Sequence, residues 1–294
     1  MRAHPRIGAA TALSSRNGHD GASPALVAAV PGSSVTARPP AHLRTLRRTV
    51  LPRFWSSSVR DRPGEVTSYV HHRSRLTDGQ RHAWDRLWPV LGREVAELVA
   101  DPAAFAPAEW FGRMAPLVLE IGSGMGESTA ALAAAAPEVD HLAVEVFEPG
   151  LAALLMRVDA AGLRNLRLLR GDAVALLRTV IAPGSLAGIR IFFPDPWPKR
   201  RHRKRRLVQP GFVALAASRL APDAPLHLAT DWADYATQMH DVCSAEPTLR
   251  GGYVERPSWR PVTKFEERAR LEGRDVRDLV FHRVHSGPGD EHGE

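Results

Sequence analysis

The chain has 294 residues, 39 Lys and Arg against 32 Asp and Glu, a formal net charge of +7 and 44% hydrophobic residues. These values suit one large α/β domain plus an extension, and the excess positive charge favours a polyanionic partner such as RNA, DNA or an anionic surface. The one cysteine, Cys243, excludes an internal disulfide and suits a reducing cytoplasm, the 13 histidines lack metal-ligand spacing, and no apolar run reaches the roughly 20 residues that cross a bilayer.

Residues 1–50 carry a single acid, Asp20, among Ala, Pro, Ser, Gly and Arg, with no sustained apolar period. Such a segment cannot bury enough surface to fold. An acid-poor, Arg-bearing amino terminus also imitates an organellar transit peptide, but its apolar stretch at 25–30 is short and broken by Pro31. The reading is a disordered extension over 1–60, which a mis-assigned start codon would also produce, and one folded domain over 61–294. From residue 67 the pattern is orderly. Trp84, Leu87, Leu91, Val95 and Leu98 recur at spacings of three and four and predict a helix over 80–98, kinked or split by Pro89.

Beyond residue 117, apolar runs at 117–121, 141–147, 166–170, 187–193 and 226–230 alternate with helical segments at 127–136, 150–161, 173–181, 211–220 and 233–245. Strands that alternate with helices in this way predict a doubly wound α/β fold with a parallel sheet. A strand near 252–254, a helix about 264–271 and a last strand at 279–284 follow.

Between the first of these strands and its helix lies Glu120-Ile121-Gly122-Ser123-Gly124-Met125-Gly126-Glu127, and Glu145 closes the next strand. Glycines there permit positive φ and close approach of the main chain to a ligand, and an acid at Glu145 can accept hydrogen bonds from ribose hydroxyls. A dinucleotide site wants Gly-x-Gly-x-x-Gly and a helix amino terminus open to pyrophosphate. This chain reads Gly-x-Gly-x-Gly with Glu127 at the helix start, which disfavours an NAD-dependent oxidoreductase. Glu120 and Glu127 together suit a ligand carrying an ammonium and a sulfonium, as S-adenosyl-L-methionine does. Asp172, closing the third strand, has two compatible roles, contact with an adenine amino group and capping of the helix that starts at Ala173.

Pro194 and Pro196 end the strand at 187–193, so Asp195 stands beyond a strand's carboxyl end, where open parallel sheets bind ligands. Trp197 follows, either a plate for an unstacked base or a packing plug. Residues 199–206 then hold seven Lys and Arg side chains. Alone, such a run reads as a solvated loop; behind a strand and an acid it points to phosphates and to chemistry on a nucleic-acid base.

Five motifs appear in order: Arg73-Ser74-Arg75-Leu76-Thr77 with Gln80; Leu119 through Gly126; Phe193-Pro194-Asp195-Pro196-Trp197-Pro198-Lys199; Thr230-Asp231-Trp232 with Tyr235; and Thr263-Lys264-Phe265-Glu266. Over roughly residues 67–284 the chain thereby resembles the bacterial tRNA (guanine-N7)-methyltransferases. The resemblance implies a Rossmann-like class I methyltransferase fold, mostly parallel with an antiparallel C-terminal strand. It also implies S-adenosyl-L-methionine as donor and guanine at position 46 of the tRNA variable loop as acceptor. With the cysteine, histidine and hydropathy patterns above, the expectation is a cytoplasmic protein with tRNA as partner, no metal and no membrane, either monomer or homodimer. By motif, Glu120, Gly122, Gly124, Glu145, Asp172 and Asp195 are implied to contact the cofactor, with Asp195 also the catalytic residue. Lys199, Asp231, Thr263, Lys264, Phe265 and Glu266 are implied to face the substrate, and Arg201, His202, Arg203, Lys204, Arg205 and Arg206 to contact RNA. Spacing alone makes Asp231 a helix cap and Thr263 with Glu266 a capping box. The chain departs from the family at Glu267-Arg268-Ala269, where x-Arg-Gly is frequent, and at Pro198, where some members carry His.

Overall fold

A single eight-stranded sheet organises the computed structural model, which describes residues 75–284. Arg73, Ser74 and the extension expected over 1–60 lie outside the described residues. The elements are α1 (Asp78–Leu91), β1 (Gly92–Glu94), α2 (Val95–Ala100), α3 (Pro107–Phe111), β2 (Leu117–Ile121), α4 (Glu127–Ala135), β3 (Asp140–Glu145), α5 (Glu148–Ala161), β4 (Leu166–Arg170), α6 (Ala173–Thr179), β5 (Gly188–Phe192), α7 (Pro210–Arg219), β6 (Pro225–Thr230), α8 (Ala233–Ser244), β7 (Leu249–Val254), α9 (Lys264–Leu271) and β8 (Arg277–Arg283). Two 3-10 helices, Pro102–Ala104 and Arg200–Arg205, complete the set.

The strands lie in the order β1-β4-β3-β2-β5-β6-β8-β7. Pairings from β1 to β6 are parallel, and β8 runs antiparallel to both β6 and β7. The fold is therefore doubly wound and mostly parallel with an antiparallel C-terminal strand. Strand order reverses between β2 and β5, so the crevice for a ligand opens beyond the carboxyl ends of these two neighbours. β2 is buried along its whole length, as a parallel strand covered on both faces should be. On one face Leu119 and Ile121 pack with residues of α2, α6, α7 and α8. On the other, Ala143, Leu166 and Leu168 pack with α4 and α5, and Trp84 and Trp88 of α1 close over them.

The helix expected over 80–98 is three elements. Thr77 and Gln80 form a capping box at the start of α1, which then runs through Pro89 to Leu91. The break comes at Gly92, not at the proline. A Cβ at Gly92 would overlap the Trp88 ring, so glycine lets the chain cross the indole and leave as an edge strand beside β4. Cys243 is buried in the core, and that burial pushes its thiol up to about 12. Among the described residues no helix is long and apolar enough to cross a membrane, and no three His, Cys, Asp or Glu side chains gather as a metal site.

Candidate active site

β2 delivers Glu120 to the floor of the glycine turn, where it is 5% exposed. Its Oε1 accepts a hydrogen bond from Thr129 Oγ1 at 2.8 Å, and its buried Oε2 has no hydrogen-bond partner among the described residues. Burial raises the carboxyl above its usual value, against the Thr129 hydrogen bond and the charge of Arg190, its register partner on β5. A buried carboxylate oxygen left unpaired is costly, and a donor or cation from a ligand would satisfy it. Above it, Gly122 and Gly124 adopt φ of 81° and 54°, and a Cβ on either would meet nothing within 4 Å. The turn is thus a left-handed, open cradle.

Glu145 braces this cradle. Its Oε2 accepts from Gly124 N at 2.8 Å, and its Oε1 accepts from Val146 N at 2.7 Å and Phe147 N at 3.0 Å. Asp172 caps α6, its Oδ1 accepting from Val174 N at 2.6 Å and Ala175 N at 3.0 Å. Glu127 does hold an ammonium, but one supplied by the chain. Its Oε1 lies 2.6 Å from Lys264 Nζ and 2.9 Å from Arg157 Nη2.

The turn after β5 presents Asp195 at the surface, beside the end of β2. Phe193 and Trp197, on either side of it, have φ of 53° and 42°; among the described residues Asp223 is the one other non-glycine with positive φ. Such conformations cost about 1–3 kcal/mol each and persist where the surroundings over-determine them. Trp197 is not an open plate. The guanidinium of Arg205 sits 5.0 Å from its ring centroid, and His202 meets it edge-on at 5.9 Å. Partial burial, then the cations Arg201, Arg205 and Lys199, hold the His202 imidazole below its usual value.

Lys199, Arg201, Arg203, Lys204 and Arg205 are exposed in and beside the 3-10 helix. Arg206 is not, and the expectation that it contacts RNA is corrected on that ground. It is 2% exposed. Its Nε donates to Pro196 O at 2.8 Å and its Nη1 to Gln238 Oε1 at 2.8 Å, its Nη2 pairs with Asp234 at 2.9 Å, and its guanidinium lies over the Tyr235 ring. Arg203 shares Asp234 at 2.8 Å while remaining half exposed.

Asp231, beyond β6, is not a helix cap either, since α8 begins without a side-chain cap. It pairs with Arg274 at 2.8 Å. Thr263 does cap α9, its Oγ1 accepting from Glu266 N at 3.2 Å. Glu266 does not close the capping box. Its carboxylate is taken by Arg256 Nε at 2.6 Å and Arg260 Nη1 at 2.8 Å. Phe265 stacks on Phe193 with centroids 5.9 Å apart and planes inclined by 18°. Through Lys264 and Phe265 the segment 263–266 therefore touches both the start of α4 and the turn of Asp195. Sequence reasoning passed over Arg190, Arg260 and Asp278. Arg190 left a signal, a charge in the middle of an apolar strand, but the other two carried none.

An open glycine cradle over a buried acid, at the switch point of a doubly wound sheet, defines a Rossmann-like enzyme for a nucleotide-like cofactor, and residues 114–279 match a family model described as a putative methyltransferase. The tRNA (guanine-N(7)-)-methyltransferase of Streptomyces coelicolor is 48% identical over 255 residues, covering 83% of this chain and 92% of that protein. That of Bordetella pertussis is 50% identical over 229 residues, covering 76% of this chain and 88% of that protein. That of Mycobacterium sp. (strain KMS) is 52% identical over 224 residues, covering 74% and 81%. The chain belongs to the tRNA (guanine-N(7)-)-methyltransferase family. A solved structure of the 16S rRNA methyltransferase KamB, 17% identical over 62% of this chain and 95% of that one, aligns with a TM-score of 0.46, too distant to add to the assignment.

Proposed function

We propose that this protein transfers a methyl group from S-adenosyl-L-methionine to N7 of guanine 46 in the variable loop of tRNA, giving 7-methylguanosine in the cytoplasm, and that residues 61–294 form the catalytic domain. The observation that carries the reading is the half-satisfied, buried carboxylate of Glu120 under an open glycine cradle, next to the strained turn of Asp195. Family membership supplies the acceptor.

The residues present fit the donor. Gly122 and Gly124 leave room for it, Glu120 offers a buried negative oxygen to its positive charge, and Glu145 and Asp172 stand at the ends of the next two strands to receive ribose and adenine. When bound, S-adenosyl-L-methionine supplies an electrophilic methyl group on a sulfonium. Guanine N7 carries an in-plane lone pair, so the chain need not remove a proton from it; what the chain provides is position and orientation. Asp195 and Asp231 accept hydrogen bonds from the guanine N1–H and amino group, and their negative charge stabilises the cationic product base. Lys199, Arg201, Lys204 and Arg205 attract the tRNA backbone. Segment 263–266, with Phe265 on Phe193 and Lys264 on Glu127, borders base and donor together.

The test is a radiolabelled transfer assay with purified protein and three acceptors: unmodified tRNA transcript, ribosomal RNA and total protein. Label in the tRNA alone is expected. Label in either other acceptor with none in tRNA refutes the reading.

A further inference from the structure

Two arginines sit where no phosphate can reach them, and each ends on a neighbour of Asp195. Arg260 is 1% exposed. Its Nη2 donates to Asp278 Oδ2 at 3.0 Å and its Nη1 to Glu266 Oε2 at 2.8 Å; its Nε lies 2.8 Å from Asp278 Oδ1, at an angle too bent for a hydrogen bond. Its guanidinium carbon is 5.8 Å from the ring centroids of both Phe192 and Phe193. Arg206, from the other side, donates to Pro196 O and is itself held by Asp234 and Gln238 of α8.

Folding does not demand such groups. The attraction within a buried ion pair is largely offset by desolvation, and apolar side chains of similar volume usually serve stability as well. The local need is different: a backbone bent into the left-handed region at Phe193 and again at Trp197 relaxes unless both ends are fixed. The Phe193 ring touches Arg260 and Phe265, and its amide donates to Ala229 O at 2.8 Å. At the other end the Pro196 carbonyl is fixed by Arg206, and the Trp197 ring lies under Arg205.

We propose that Arg206 and Arg260 are positioning residues that clamp the turn 193–197 from its two ends and so fix Asp195 for methyl transfer, with Arg260 also setting Glu266 and its segment against the same turn. The inference rests on the methyltransferase reading for its functional half and on geometry alone for the clamp.

Two measurements on full-length protein separate these halves. Arg206→Lys and Arg260→Lys keep the charge but lose the forked guanidinium. The first measurement is hydrogen exchange at the amides of Phe193, Asp195 and Trp197, Pro194 and Pro196 carrying none. It is expected to quicken by about tenfold or more in each variant, while the strands of the sheet exchange as in the wild type. Unchanged exchange overturns the clamp whatever the activity. The second is steady-state methyl transfer to tRNA, where kcat falls by about 10- to 100-fold while the KM for tRNA and the Kd for the donor stay within about threefold. A merely structural role would lower the melting temperature and leave kcat per folded molecule intact, and that result overturns the proposal. Should Arg260→Lys not fold, Phe265→Ala, at a residue 58% exposed and stacked on Phe193, loosens the same end of the turn and is read by exchange alone, which is expected to quicken at Phe193; unchanged exchange there overturns the clamp at that end. Wild-type protein that methylates no tRNA refutes the functional reading and leaves the exchange experiment to decide the clamp.

Discussion

Replacing Glu120 by Gln isolates the charge on which donor binding depends. The side chain keeps its shape and its hydrogen bond with Thr129, so what changes is the negative oxygen that the structure leaves buried and unpaired. A hydrogen bond to a charged group contributes about 1.5–3 kcal/mol, so the Kd for S-adenosyl-L-methionine should rise about 10- to 150-fold. Loss of the carboxylate relieves a buried charge but removes the compensation of Arg190, and these opposed effects keep the ligand-free protein folded. The pH dependence has a definite sign. Burial raises the Glu120 carboxyl, so the ligand-free protein holds a proton there above the ordinary carboxylate range, and a cationic donor binds the form that has lost it. Wild-type affinity therefore strengthens as pH climbs through that raised value, with proton release on binding, and the Gln variant loses that dependence. Calorimetry in two buffers of different ionisation enthalpy, across pH 5 to 8, measures both effects. A Gln variant that binds within about twofold of the wild type, or wild-type binding that releases no proton at any pH, refutes the reasoning.

Asp195→Ala should leave the melting curve unchanged and lower kcat by about 100-fold or more, as expected when stabilisation of developing charge is lost; wild-type turnover would remove Asp195 from the reaction. Converting Arg201, Lys204 and Arg205 to Ala should flatten the salt dependence of tRNA affinity by up to about 0.7–0.9 log units per lost phosphate contact, whereas Arg206→Ala should lower the melting temperature and leave the slope alone. An unaltered slope for the triple variant would make the run a solvated loop. His141, whose imidazole burial and then the Arg190 charge push from 6.5 down to about 4, gives a pH signature in stability. The unfolded chain binds that proton below about pH 6.5 and the folded protein does not until about pH 4, so stability falls as pH drops through this window, by at most about 3.4 kcal/mol at 1.36 kcal/mol per unit. Urea unfolding of His141→Gln should lack this fall, and a variant curve parallel to the wild type would contradict the assignment.

Periodicity made most of the fold legible, because strands buried on both faces carry short, mainly apolar runs that alternate with longer helical segments, and that alternation fixes a parallel sheet even where Glu120, Arg167 and Arg190 interrupt the runs. Residues 92–94 escaped because Gly-Arg-Glu has no apolar character and becomes a strand through its position beside β4 and the passage of Gly92 over Trp88. Glu120, Gly122 and Gly124 were visible because a turn between strand and helix fixes their place within a few residues. Arg206 was not. Seven Lys and Arg within eight positions look alike in sequence, and only the contacts of Arg206 with Pro196 and with α8 distinguish the one that is buried. The strain at Phe193 and Trp197 leaves no compositional trace, and the Arg260–Asp278–Glu266 network joins residues whose spacing follows no period.

The most direct test of the account is to let purified protein and labelled S-adenosyl-L-methionine act on an unmodified tRNA transcript, then digest the RNA to nucleosides and separate them. All label should run as 7-methylguanosine, and a transcript with A in place of G at position 46 should take up none. Label in any other nucleoside, or equal uptake by the altered transcript, contradicts it.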